Sequence, residues 1–267
     1  MSNFLSEQEK TISQKFEKNG FLIHKILDVK ALEKIRNIFI EAVKKNVKMK
    51  FNNKSDSNIL NQIHGNVGSK NLNSFRLKII DQVNKNPNIR KLYYSLAKPY
   101  LDILIGNEIS MQLRINLSIQ LPNDKNSLLP LHSDVWSGDS PYEIVVWLPL
   151  VDCYKTKAMY ILPPNKYFKI KKNLLDKKIK SSDQLFKKIK KDLQWIKIDY
   201  GNILLFNQCL PHGNIVNKEK ETRWSLNCRF KGVFTPHRDK KIGEFFEPIT
   251  LRKVSQLAQK YVLPNIK

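Results

Sequence analysis

The longest regular pattern along the chain is the strict alternation of apolar and polar residues in ISMQLRINLSIQL, residues 109–121. Successive side chains of a β-strand point to opposite faces, so this period of two predicts a strand with one apolar and one polar face. Further apolar runs of strand length follow, and turn residues separate them. They are YEIVVWLPLV (142–151), AMYIL (158–162), QWIKIDY (194–200), NILLFN (202–207) and RWSLNCRFKGVF (223–234).

The first 108 residues follow a helical pattern instead. Apolar residues recur at helical spacing after Asp28, which is a good N-cap, and again over residues 89–104. Helices first and strands afterwards favour a mainly β fold, an antiparallel sheet structure with helices packed outside, over a βαβ fold. We therefore predict a single domain with a mainly helical part (1–108), a β core (109–235) and a C-terminal extension (236–267).

Two segments interrupt this scheme. Residues 166–193 form a lysine-rich insertion between predicted strands, and their apolar residues indicate a short amphipathic helix under a basic face. A solvated helix at the rim of the sheet is the simpler interpretation, and a lid over a ligand is the alternative. Residues 45–75, rich in Asn, Lys, Ser and Gly, are predicted to be a long loop, whose length also suggests a lid.

Composition and charge narrow the class of protein. At 267 residues, 41% of them hydrophobic, the chain can bury a core without disulfides, and Cys153, Cys209 and Cys228 are interpreted as reduced thiols. The formal net charge of +23 permits a nucleic-acid partner, but only eight of the 47 basic residues are Arg. Because specific nucleic-acid recognition favours Arg, we expect a solvated basic surface instead. With no secretory signal or transmembrane run evident, we expect a cytoplasmic protein.

His132 and Asp134 are the first candidates for chemistry. Residues two apart in an extended segment point the same way, so this imidazole and carboxylate can aim at one point. A two-His-one-carboxylate iron site needs a second His from a distant strand. His212 follows the predicted strand 202–207 and suits this role; His24, His64 and His237 suit it less well.

Arg223 lies eleven residues after His212 and shares a predicted strand face with Ser225. An Arg can bind a carboxylate through two hydrogen bonds, and a Ser hydroxyl can add a third, which suits the distal carboxylate of 2-oxoglutarate. The polar face of residues 109–121 either meets water or, if its apolar face packs on helices, lines the interior. In the second case three residues become candidates for binding co-substrate or substrate: Gln112, Arg114 and Asn116.

Together these residues resemble the phytanoyl-CoA dioxygenase-like Fe(II)/2-oxoglutarate oxygenases. The stretches LPLHSDVWSGDSPYEIVVWLPL, GNILLFNQCLPHGN and ETRWSLNCRFKGVFTP are more similar to a bacterial subfamily, the sporadic carbohydrate cluster oxygenases. The resemblance covers residues 109–250 closely and the N-terminal helices loosely. It implies a double-stranded β-helix (jelly-roll, cupin-like) core. It also implies Fe(II) on His132, Asp134 and His212, and 2-oxoglutarate on Arg223, with Arg114 and Asn116 as further contacts.

The resemblance further implies a dioxygenase that uses O2 to hydroxylate a sugar or sugar-linked metabolite in surface carbohydrate biosynthesis. Asp134 favours hydroxylation, since related halogenases lack this carboxylate, although desaturation and ring formation stay open. Polar and aromatic residues after the H-x-D motif are candidates for binding substrate or for a pocket wall and rim, and Glu143 is expected at a partly exposed strand end. The substrate candidates are Trp136, Asp139 and Tyr142.

Two other classes compete with this hypothesis. A cupin-like metal-dependent sugar isomerase or epimerase would use the same metal ligands, but it needs no carboxylate clamp such as Arg223. A non-catalytic binding module on an oxygenase fold is the second alternative, and the intact ligand set argues against it. The sequence does not predict an oligomeric state.

Overall fold

The computed structural model describes residues 4–47, 58–176 and 179–265. Within them the helices are α1 (Glu7–Asn19), α2 (Val29–Asn46), α3 (Leu72–Asn84), α4 (Ile89–Ile105), α5 (Pro164–Leu175), α6 (Ser182–Ile189) and α7 (Lys253–Ala258). The strands are β1 (Phe21–Lys25), β2 (Ile109–Gln112), β3 (Asn116–Gln120), β4 (Ile144–Pro149), β5 (Met159–Ile161), β6 (Gln194–Ile196), β7 (Asn202–Asn207), β8 (His212–Gly213), β9 (Arg223–Gly232) and β10 (Phe246–Pro248). Helices hold more residues than strands, although the core is β-structure as predicted.

Two antiparallel sheets form that core. The major sheet has the order β1-β7-β4-β9-β2-β10, with β3 also paired to β9, and the minor sheet has the order β6-β5-β8. The inner faces of the two sheets meet in one apolar cluster that includes Trp147 and Phe206 of the major sheet and Met159 of the minor sheet. Two sheets packed face to face in this way form the predicted jelly-roll core.

The helices α2, α3 and α4 cover the outer face of the major sheet. Their apolar sides share a single core cluster with the strands, in which Ile79 and Leu101 join Leu117 and Trp224. Asp28 caps α2 as expected, because its carboxylate accepts a hydrogen bond from the Ala31 N–H at 3.0 Å. The apolar face of β3 therefore points to helices, and its polar face points inward.

The pattern over residues 109–121 predicts one strand, and the structure divides it into β2 and β3. Met111 pairs with Phe230 and Asn116 pairs with Asn227. An advance of five residues along this segment is therefore matched by an advance of only three residues along β9. The two extra residues form a bulge. Asn84 fixes the bulge by hydrogen bonds with the N–H and the carbonyl of Ile115, at 2.8 and 3.0 Å. The bulge turns Arg114 to the outer surface, while Ile115 stays in the core shared with the helices.

The remaining predicted segments also have defined places. The insertion contributes α5 and α6, which pack on the outer side of the minor sheet. Residues 48–57 of the predicted 45–75 loop lie outside the described residues. Further along that segment Leu60 and Ile63 are fully buried, so this part belongs to the core and is not a lid. The C-terminal extension supplies the edge strand β10. Among the described residues, no helix is long and apolar enough to cross a membrane.

Candidate metal centre and anion pocket

The metal-ligand candidates meet where two segments pair. His132 and His212 exchange backbone hydrogen bonds of 2.9 and 2.8 Å, which places their rings side by side with centroids 4.3 Å apart. Asp134 begins a short 3-10 turn just after His132 and turns its carboxylate toward both rings. Its Oδ1 lies 3.4 Å from His132 Nε2 and 3.8 Å from His212 Nε2. One potential ligand atom from each residue lies within 4.8 Å of the others.

Backbone carbonyls fix both imidazoles in the state that a metal requires. The Nδ1 atom of each ring lies 2.8 Å from the carbonyl two residues earlier, Pro130 for His132 and Leu210 for His212. A carbonyl only accepts, so Nδ1 carries a proton in both rings, and the neutral form of each ring has its lone pair on Nε2. Burial lowers the pKa of His212 to about 4, so this ring is neutral at neutral pH. The Nε2 atoms of both rings thus face the Asp134 carboxylate, in the orientation that metal-binding imidazoles adopt.

Asp134 is itself buried and ionised. Burial alone would raise its pKa, but the contacts with His132 and with the positive charge of Arg229 outweigh burial and hold the pKa well below its usual range. The Nη2 atom of Arg229 lies 2.7 Å from Oδ2. Oδ2 is therefore engaged by the guanidinium, and Oδ1 faces the two His rings.

Arg229 is held from several sides. Its Nε lies 3.0 Å from Asp139 Oδ1 and 3.1 Å from the side-chain oxygen of Gln208. Gln112 accepts a hydrogen bond of 3.2 Å from its backbone N–H, and Lys240 forms a second ion pair with Asp139. Asp139 is only 1% exposed, so both of its cations offset a buried charge. These contacts fix the guanidinium that orients Asp134.

A second, different cation lies on the same strand. Arg223 is 3% exposed, and its Nη2 donates to Ser118 Oγ at 2.9 Å. Arg223 Nε and the hydroxyl of the neighbouring Ser225 are buried without a hydrogen-bond partner among the described residues. Burial lowers the pKa of Arg223, and no carboxylate in the described parts of the chain pairs with it. A buried cation beside an unsatisfied hydroxyl is suited to an anionic ligand.

One cavity of about 330 Å³ contains both features. The His132–Asp134–His212 set lies on its wall, together with Arg223 and Ser225. Its apolar wall comes from both sheets and consists of Val145, Trp147, Met159 and Phe206. The cavity therefore joins a metal-ligand set and an anion pocket across an apolar wall.

The structure places several other predicted residues relative to this cavity. Asn116 and Asp139 line it, and Asn116 donates to Asn227 at 2.9 Å. The placement of Arg114 in the site is wrong: it lies on the bulge, is mostly exposed and pairs with Asp81. Gln112 is buried but does not line the cavity; its oxygen supports Arg229 instead.

The stretch after the H-x-D motif divides into outer and inner residues. Trp136 and Tyr142 are 48% and 53% exposed, and neither belongs to the described cavity lining. The expectation of a partly exposed Glu143 is wrong, because it is 2% exposed. Its carboxylate accepts from the Ser140 N–H and from Gln208, and burial raises its pKa.

Three residues near Asp134 were missed by the sequence reasoning. Arg229 continues the polar face of Arg223 and Ser225, so its inward direction was detectable. Gln208 and Lys240 reach the network from segments with no distinguishing local pattern.

Gly138, which ends the 3-10 turn at φ 88°, lies so close to the C-terminal extension that an added Cβ would be 2.2 Å from an Asp239 oxygen.

Comparison with known proteins supports the fold. No family model matches the chain, and no curated protein matches it either. The structure of EctD from S. alaskensis with bound Fe is 12% identical, has a TM-score of 0.56, and covers 89% of this chain and 81% of its own. The non-heme alpha ketoglutarate dependent carbocyclase SnoK from nogalamycin biosynthesis is 12% identical, with a TM-score of 0.54 and coverage of 93% and 98%. At such low identity these similarities bear on the fold alone, and they confirm the predicted fold.

Proposed function

We propose that this protein is an Fe(II)- and 2-oxoglutarate-dependent dioxygenase. The observation that carries the proposal is that one cavity holds a His–Asp–His set and, apart from it, a buried arginine without an acidic partner. EctD, which has the same fold, has been solved with bound Fe and with 2-oxoglutarate and 5-hydroxyectoine. The groups bound in these EctD structures support the assignment of Fe(II) and 2-oxoglutarate to this cavity.

The donor set suits Fe(II). Two neutral imidazole nitrogens and one carboxylate oxygen are the ligands of the facial triad, which leaves the remaining coordination positions free. In this chain His132 and His212 would provide the nitrogens, and Asp134 would provide Oδ1. Arg229 occupies Oδ2 and so favours a carboxylate that binds the metal through one oxygen.

The anion pocket suits the distal carboxylate of 2-oxoglutarate. Arg223 and Ser225 offer a charged fork and a hydroxyl, and both have unsatisfied buried polar atoms. The apolar wall that includes Trp147 and Phe206 suits the two methylene groups between the carboxylates. This division of polar and apolar contacts would also fix which end of the co-substrate faces the metal.

The chemistry follows from these positions. Iron, when bound, would supply the activation of O2 and its coupling to the oxidative decarboxylation of 2-oxoglutarate to succinate and CO2. The chain orients the co-substrate through Arg223, keeps Asp134 anionic through Arg229, and excludes water with the apolar wall. Because Asp134 supplies the carboxylate ligand that related halogenases lack, we propose that the substrate is hydroxylated.

For the substrate we propose a sugar or a sugar-linked metabolite in surface carbohydrate biosynthesis. The resemblance to the carbohydrate cluster oxygenases supports this class. The cavity lining also contains polar side chains that can form hydrogen bonds with sugar hydroxyls, namely Ser137, Asp139, Asn214 and Asn227. The protein would act in the cytoplasm.

Anaerobic addition of Fe(II) and then 2-oxoglutarate tests the core proposal. We expect a weak visible charge-transfer band, and succinate formation when O2 is admitted. The band should be absent in His212→Ala, and succinate should be absent in Asp134→Ala. Asp81→Ala is the matched control, because it removes a carboxylate on the outer surface that pairs with Arg114. A wild-type protein without the band, or an unchanged band in His212→Ala, would refute the assignment.

A further inference from the structure

The lysine-rich insertion has a charge that composition alone does not explain. Residues 166–193, which we call the basic hairpin, contain eleven lysines and three aspartates, and so provide eight of the 23 net positive charges. This segment is 28 of the 267 residues. A uniform preference for lysine would spread the charge over the chain, whereas here about a third of it lies in about a tenth of the sequence.

The basic hairpin also exposes large apolar side chains. Phe168 and Leu175 are 72% and 71% exposed, and they lie seven residues apart on α5, which places them on one face two turns apart. None of the twelve residues of α5, all of which the structure describes, is buried. Lys171 places its Nζ 5.9 Å from the Phe168 ring, and Lys172 is exposed nearby. The outer face of α5 therefore combines protruding apolar groups with lysines.

The inner side of the basic hairpin is attached to the fold. Leu185 and Ile189 of α6 are 1% exposed and pack against Tyr160 and Leu131 of the minor-sheet region. Leu131 directly precedes His132, so this small cluster connects the hairpin to the segment that carries a metal ligand. Tyr167, Ile170 and Leu174 of α5 pack against the same cluster, so the outer face of α5 is a surface of the folded domain and not a free tail.

We propose that the outer face of α5, in the basic hairpin, is a docking surface for an anionic lipid bilayer. Lysines near a bilayer are attracted to anionic headgroups, and apolar side chains flanked by lysines enter the interfacial region. The chain has no arginine within residues 166–193, and arginine is the residue that best binds nucleic-acid phosphates through paired hydrogen bonds. A second copy of the hairpin would meet like charge. The exposed Phe168 and Leu175 favour lipid over any purely ionic partner.

Co-sedimentation of the full chain with phosphatidylcholine vesicles, with and without phosphatidylglycerol, tests this proposal. We expect binding only to the anionic vesicles, and weaker binding as salt increases. Lys169→Gln with Lys172→Gln should lower the partition coefficient by about 25-fold, at roughly fivefold per lysine. Phe168→Ser with Leu175→Ser should lower it by about tenfold.

Matched controls lie elsewhere on the surface. Lys34→Gln with Lys78→Gln removes the same charge from exposed helix positions, and Leu77→Ser removes a side chain that is 50% exposed. These variants should bind like the wild type, and every variant should keep its thermal unfolding transition. The proposal is overturned if the wild type does not bind anionic vesicles, or if hairpin and control variants bind equally. It is also overturned if the hairpin substitutions weaken binding to an oligonucleotide but not to vesicles.

Discussion

Two arginines of strand β9 point to the same side of the sheet but meet different surroundings. Arg223 is almost fully buried, contacts Ser118 and has no acidic partner among the described residues. Arg229, six residues further on, forms ion pairs with Asp134 and Asp139. The comparison shows that residue type and strand face do not by themselves define a role. The partners that a guanidinium already has decide whether it can bind a ligand.

The difference has a physical basis. A buried ion without a partner lowers stability, and it is retained where a ligand of opposite charge compensates it. Arg229 already has that compensation within the chain, so it acts as a positioning residue for Asp134. Arg223 lacks it, which is why we assign the co-substrate carboxylate to Arg223. Replacing each arginine by methionine, which has a similar length and no charge, tests this distinction.

The largest effect on folding is expected for Arg229→Met. This change leaves Asp134 and Asp139 buried with one cation fewer, which should lower the free energy of unfolding by about 3 kcal/mol. Arg223→Met removes an unpaired buried charge and should change it by less than about 1 kcal/mol. Urea unfolding in the presence of a metal chelator measures both values. Equal losses in the two variants would contradict the contrast between the two sites.

For co-substrate binding we expect the opposite order, with a larger effect of Arg223→Met than of Arg229→Met. Arg223→Met should weaken the affinity of the Fe(II)-loaded protein for 2-oxoglutarate by about a hundredfold, because a buried charged contact is lost. Titration of the charge-transfer band under anaerobic conditions measures this affinity. Arg114→Met is the control, since Arg114 lies on the outer surface and should leave the affinity unchanged. An Arg223→Met protein with wild-type affinity would place the carboxylate elsewhere in the cavity.

Metal binding should stabilise the fold through the same cavity. Mn(II), a redox-stable substitute for Fe(II), should raise the free energy of unfolding by about 2 kcal/mol at a concentration of roughly thirty times its Kd. The gain should disappear in His212→Ala and persist in His64→Ala, because His64 contacts Thr222 away from the ligand set. Arg223→Met should retain the gain in full, since Arg223 contacts no metal ligand. Stabilisation of His212→Ala by Mn(II) would show that the metal binds elsewhere.

The parts of the site that could be predicted depend on short stretches of chain. His132 and Asp134 are two residues apart, and Arg223 lies on the strand that follows His212, so local spacing nearly determines their positions. Alternation along 109–121 also separated the apolar face of β3 from its polar face, but left open whether the polar face meets water or the interior. Such features follow from the geometry of one strand or one hairpin.

The errors concern positions that distant contacts determine. Arg114 follows the alternation, yet the register between β3 and β9 and the hydrogen bonds of Asn84 place it on an outward bulge. Gln112 keeps its inward direction but is covered by Arg229, which a single strand pattern does not show. Lys240 joins the network from the C-terminal extension. Strand register and long-range pairing are tertiary properties, and local periodicity carries little information about them.

The smallest expected effect comes from removing a single hydroxyl, that of Ser225 beside Arg223. Ser225 is 1% exposed, and its Oγ has no hydrogen-bond partner among the described residues. If that hydroxyl serves a bound carboxylate, Ser225→Ala should weaken 2-oxoglutarate affinity by about fivefold, the value of roughly 1 kcal/mol for one hydrogen bond. The same change should leave the stability of the ligand-free protein unchanged or slightly raised, because it removes an unsatisfied buried polar group. Weaker affinity together with lower ligand-free stability would instead mean that the hydroxyl supports the fold, and Arg223 would then hold the carboxylate without it.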